Sequence, residues 1–169
     1  MAVAEIIGAA VGVLLLVVVA YLLVGGTLST AETVVMAQKD VTLLQESRLR
    51  TSITISDHTF DGTMLNFNIS NTGSETVTDL PHMDVFSYNR TYGYSHYQYD
   101  RTRSMGEGTW YVPVEGFEND FIHSDQLDPG VKMWVILTFS SSETPEYPKP
   151  DSIQVTTGNG VSAEKIVAT

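Results

Sequence analysis

The chain has 169 residues, no cysteine and a formal net charge of −11 at pH 7. Without cysteine there are no disulfides, no thiol chemistry and no cysteine-ligated metals. Residues 51–169 hold sixteen Asp and Glu against six Lys and Arg, a balance of −10; this excludes nucleic acid as an expected partner and leaves high salt, a cationic partner or plain solubility as its meaning.

Residues 6–24, IIGAAVGVLLLVVVAYLLV, contain no charge. A bilayer core needs about 20 apolar residues of helix to cross it. The run has no basic segment before it, exceeds the usual apolar core of a secretory signal and leads into only a weak cleavage site at Gly25-Gly26-Thr27. It is apolar on every face from Leu14 to Ala20, which suits lipid better than a protein core. A retained single-span anchor over residues 1–26 is therefore predicted. Glu5 stands where pilin-like helices carry an assembly glutamate, but no processing signal precedes it, so it reads first as a charge at the membrane interface.

Gly25-Gly26 predicts a kink or hinge. Residues 27–50 then carry apolar side chains at three- and four-residue steps, among them Val34, Val41 and Leu44. That spacing predicts an amphipathic stalk helix whose seam forms a short coiled coil or docks on the domain. Helix from Val3 to Arg50 would run about 70 Å.

From Thr51 the apolar period becomes two. Predicted strands cover residues 51–56 (Ile53, Ile55 inward), 64–70 (Leu65, Phe67, Ile69 inward) and 83–88 (Met83, Val85 and Ser87 on one face). Residues 75–78 form a short strand or link. Residues 110–114 are strand-like, but Pro113 confines them to an edge. Residues 131–139 are the strongest strand, with Val131, Met133, Val135, Leu137 and Phe139 inward, followed by strands at 152–157 and 161–167. Turns fall at Asp61-Gly62, Asn71-Thr72-Gly73, Asp128-Pro129-Gly130 and Asn159-Gly160. Together these predict an all-β domain over residues 51–169, an immunoglobulin-like antiparallel β-sandwich carried on a long N-terminal transmembrane and stalk helix.

The four histidines, His58, His82, His96 and His123, lack metal-ligand spacing. Glu118, Asp120, Asp125 and Asp128 lack the order of a calcium loop and read as a solvated acidic segment. No nucleophile elbow, phosphate loop or dinucleotide fingerprint occurs. An enzyme, a cofactor and a small-molecule substrate are therefore not expected. The sequons at Asn68 and Asn89 favour an exported C-terminal part.

Residues 87–103, SYNRTYGYSHYQYDRTR, concentrate Tyr88, Tyr92, Tyr94, Tyr97 and Tyr99 with Arg90, Arg101 and Arg103. Tyr and Arg are enriched at binding hot spots. The segment is a candidate contact surface for a protein or glycan; equally, it is a long hairpin whose tyrosines pack on the sandwich.

An N-terminal span and polar helix lead to Leu49-Arg-Thr-Ser-Ile-Thr-Ile55; LNFNISNTG at residues 65–73, Leu127-Asp-Pro-Gly130 and IQVTTGNGV at residues 153–161 follow. In this order the chain resembles the archaeal flagellar protein F family, accessory proteins of the archaeal motility filament. The sister protein G family shares the layout, and the TGNGV ending favours F. The resemblance covers most of the chain, whereas the Tyr-rich segment and residues 107–124 enlarge on the family pattern. It implies a stator component anchored in the cytoplasmic membrane, with its β domain outside. That domain would bind the surface-layer protein and pair with itself or with a protein G. The alternatives are a pilin-type filament subunit polymerising through its N-terminal helix, and an enzyme or solute-binding domain.

Overall fold

The computed structural model describes residues 2–118, 126–139 and 149–167. One helix, α1 (Ala2–Arg50), covers both predicted helical segments without a break. No break occurs at Gly25-Gly26, where a kink or hinge is expected: the helix runs on through the pair, and Thr27 and Thr30 donate their hydroxyls back to the carbonyls of Val24 and Gly26, both at 3.0 Å. The chain divides into two compact units, residues 1–45 and 46–169. In the first, the described side chains are exposed, including the seam residues Val34, Val41 and Leu44 and the first-turn Glu5. The helix is long and apolar enough to cross a membrane.

The second unit contains the last turn of α1 and nine strands among the described residues. These are β1 (Ile53–Phe60), β2 (Met64–Asn71), β3 (Asp84–Asn89), β4 (Gly93–Tyr99), β5 (Thr109–Tyr111), β6 (Phe117–Glu118), β7 (Lys132–Thr138), β8 (Ser152–Thr156) and β9 (Ser162–Ile166). A 3-10 turn (Leu80–His82) precedes β3. The sheet order is β1-β2-β7-β5-β4-β3-β8-β9, with β6 also on β7. Every neighbouring pair is antiparallel except β4 and β5, which run parallel through Gln98–Thr109 and Tyr99–Trp110. β1 and β9, at the two ends of this order, approach within 8 Å between Cα atoms.

The predicted sandwich of separate antiparallel sheets is thus corrected to a nearly closed mixed sheet. Its cause is β4, which pairs with β3 on one side and hands the sheet on to β5 on the other. The strand predicted at residues 110–114 is also corrected. β5 ends at Tyr111, before Pro113, and lies between β4 and β7 instead of at an edge. Its donors are spent before the proline would interrupt the ladder.

The inward faces follow the alternation of the sequence. Leu65, Phe67 and Ile69 of β2 meet Met133, Val135 and Leu137 of β7, with Val85, Ile153, Val155 and Trp110 closing the core. A bulge between Ser56 and His58, with Asp57 at φ 38°, shifts the register of β1 against β2.

Two turns, far apart in sequence, clasp the last turn of α1. From residues 71–75, Ser74 and Glu75 donate their amides to the Arg50 carbonyl (2.8 and 3.2 Å), and Thr72 donates to that of Ser52 (2.8 Å). A Cβ on Gly73 would collide with the backbone of Arg50 and Ser52, so only glycine permits this approach. From the β8–β9 turn, Asn159 donates through Nδ2 to Thr51 Oγ1 (2.8 Å) and Ser47 Oγ (3.2 Å). Arg48 Nε donates to the Asn159 carbonyl at 2.6 Å.

Candidate interaction surface

The Tyr-rich segment folds largely as the β3–β4 hairpin. Asn89 shapes its turn: Oδ1 accepts the amides of Thr91 (2.8 Å) and Tyr92 (3.3 Å), and Nδ2 donates to the Lys149 carbonyl (3.1 Å). Strand pleating then sorts the side chains to opposite faces. Val85, Ser87 and Tyr97 point inward, and the Tyr97 hydroxyl lies 2.9 Å from Ser87 Oγ. Tyr97 belongs to the core, not to the surface. Tyr99 is half-buried, its ring 4.7 Å from that of Trp110.

The outward set is Tyr88, Tyr94, Phe86 and His96. Tyr88 pairs across the hairpin with Tyr94, ring centroids 4.8 Å apart, and Phe86 with His96 at 4.9 Å. Tyr94 is 75% exposed. The register carries the Tyr94–Tyr88 row onward through Ser152 to Ile166, which is 70% exposed. One broad face of β4-β3-β8-β9 therefore presents exposed rings and an isoleucine. His96 Nε2 lies 3.1 Å from Asp84 Oδ1 at the side of this face.

The arginines separate. Arg90 and Arg101 are exposed, Arg101 beside a shallow groove that His96 and Asp84 also line. Arg103, at φ 56°, donates through Nε to the Val112 carbonyl at 2.8 Å and braces its own loop. That loop is organised by Asp100, which accepts the hydroxyls of Thr102 (2.6 Å) and Ser104 (2.8 Å) and both backbone amides. The Thr102 hydroxyl leads in holding the Asp100 carboxyl down, to about 2. Tyr111 is pushed up by burial and by the nearby Asp100 charge. Tyr92 is exposed at the hairpin tip.

Of the acidic residues considered for calcium, Glu118 lies 3.3 Å from Lys132 Nζ and Asp128 accepts the Thr76 hydroxyl at 2.8 Å. Asp120, Asp125 and His123 lie outside the described residues. Among the described residues no cluster of three or more potential metal ligands occurs. Elsewhere on the outer surface of the sheet, Asn68 of β2 is half-buried and sits across from Trp134 of β7.

Composition alone pointed to the tyrosines and missed Phe86, His96 and Ile166 as their neighbours. Gly93, which takes a positive φ of 84°, was the available signal for the hairpin turn.

The β domain shares its fold with a solved protein. The chain is similar to the solved archaellum periplasmic stator protein FlaG from Sulfolobus acidocaldarius, at 20% identity over 69% of this chain and 98% of that one, with a TM-score of 0.50. A second similar structure is the FlaF and FlaG stator complex of the same organism, at 21% identity over 68% of this chain and 86% of that one, with a TM-score of 0.48. No family model and no curated protein matches the chain.

Proposed function

We propose that this protein is a membrane-anchored stator component of an archaeal motility filament motor. Its β domain stands outside the cytoplasmic membrane and binds the surface-layer protein, a partner stator protein of the F or G type, or both. The observation that carries this reading is the shared fold with a periplasmic stator protein over 98% of that protein's length. The F-type resemblance of the TGNGV ending and the fold likeness to a G-type structure both lie within this class. Helix α1 supplies the anchor, and the outward Tyr88, Tyr94 and Ile166 with Arg90 and Arg101 supply the contact surface. Aromatic and arginine side chains combine large contact area with polar tips, as a protein interface requires. A structural role fits a domain whose interior is filled by its own side chains.

The test uses the full chain in detergent, immobilised and exposed separately to purified surface-layer protein and to an F- or G-type stator protein. Capture of either, lost in Tyr94→Ala/Arg101→Ala while the melting temperature is kept, supports the proposal. Capture of neither refutes it. The second reading, a pilin-type subunit, is favoured by Glu5 in the first turn of α1. It requires filaments built from this chain, and negative-stain microscopy of cells lacking it distinguishes the two.

A further inference from the structure

Trp134 is 51% exposed, although Trp110, the other tryptophan, is fully buried. It lies on the outer face of β7, directly opposite Asn68 of β2, which in turn faces Ser56 of β1. On its other side the Trp134 amide donates to the Gly116 carbonyl at 2.6 Å. Position 116 must stay bare, because a Cβ there would press on Val112 and Pro113. The indole is therefore flanked across the sheet by small residues and lines an open groove with Asn68, Glu115, Glu118 and Lys132. A large apolar ring left open beside polar side chains is the arrangement of a site for an amphipathic ligand.

The sequence names an occupant. Asn68-Ile69-Ser70 is an N-glycosylation sequon, and its asparagine opens into this groove. The second sequon, at Asn89, is differently placed: its Oδ1 accepts two amides of the hairpin turn and its Nδ2 donates to the Lys149 carbonyl, so both ends of the amide are engaged. We propose that Asn68, and not Asn89, is a glycosylation site, and that its first sugar lies on the Trp134 indole with its hydroxyls toward Glu115, Glu118 and Lys132. In the transfer, a polyprenyl-phosphate-linked oligosaccharide is the donor. A bond forms between its anomeric carbon and Asn68 Nδ2, the anomeric carbon–phosphate oxygen bond breaks, the amide loses one proton, and the lipid phosphate leaves. The sugar's apolar face covers ring surface that water otherwise wets.

This inference rests on the domain being exported, so export is measured separately, by protease digestion of the domain in cells whose membrane is intact. The full chain is then purified from its source cells and its peptides are weighed. The expected result is a glycan on Asn68, unmodified Asn89, and acrylamide quenching of tryptophan emission that rises at least twofold in Asn68→Gln. Trp110 is buried in both proteins, so the change reports Trp134. A domain that is exported but bare at Asn68, a glycan on Asn89 instead, or equal quenching in wild type and Asn68→Gln overturns the proposal. A domain that is not exported refutes the stator reading together with it.

Discussion

Replacing Asn159 by alanine removes the side chain that ties the β8–β9 turn to the end of α1. Three hydrogen bonds go: those donated to Thr51 Oγ1 and Ser47 Oγ, and the one that Oδ1 accepts from Thr157 Oγ1 at 2.6 Å. Each is worth about 1 kcal/mol net, and less where water can substitute. Asn159 is half-buried, and Thr157 Oγ1 keeps its contacts with Val161, so the expected loss is about 2 kcal/mol. The bond from Arg48 to the Asn159 carbonyl survives, because it uses the backbone. For a domain of this size the melting temperature should fall by about 6–10 °C. The assay is near-ultraviolet circular dichroism of the full chain in detergent, in the band of the buried Trp110. Hydrogen exchange supplies the location: the Thr51 amide, bonded to the Ser47 carbonyl at 3.0 Å, should exchange faster in the variant. A melting temperature within about 1 °C of wild type, with unchanged exchange at residues 47–52, would refute the clasp as a stabilising device.

The other half of the clasp predicts a larger effect. Gly73→Ala drives a methyl into the backbone of Arg50 and Ser52, which cannot yield as a side chain would, and should cost at least about 3 kcal/mol, read as a lower denaturation midpoint. Asp100 predicts a pH dependence. Its folded pKa is held at about 2 against an ordinary 3.8, so its contribution is complete above the ordinary value and is lost as pH falls through the folded one. The gap in melting temperature between wild type and Asp100→Asn should stay constant from neutral pH to about 5 and shrink toward pH 2; a gap unchanged across that range would refute the role of the carboxylate.

Where one face of a strand is buried, the sequence announces it. β1, β2 and β8 were legible because Ile53, Phe67, Ile153 and their neighbours alternate with polar residues, and β7 because it is a long apolar run from Met133 to Leu137. The turns were legible for chemical reasons: Gly62, Gly130 and Gly160 all take positive φ. β4 was hidden because both of its faces carry tyrosine, so hydropathy does not alternate along it. Closure of the sheet was illegible because it depends on two parallel pairs, Gln98–Thr109 and Tyr99–Trp110, which no local pattern encodes. The interaction surface was half legible. Composition found Tyr94 and Arg101, but only strand register separates Tyr94 from Tyr97 in the core, and only the bond from Arg103 to the Val112 carbonyl separates that arginine from Arg101. The Asn159 contacts with Ser47 and Thr51 span 112 and 108 positions and lie beyond any periodicity argument.

The clasp also determines how a pull along the chain would be received. Tension arriving at Arg50 does not pass into β1 alone. It divides between a turn that closes β2 and a turn that joins β8 to β9, strands from opposite stretches of the sheet order. Bonds loaded side by side share the force and must break together, whereas bonds in series open one after another like a zip. A helix end joined to a sheet in this way should resist a brief pull well and, once overloaded, give way in a single event.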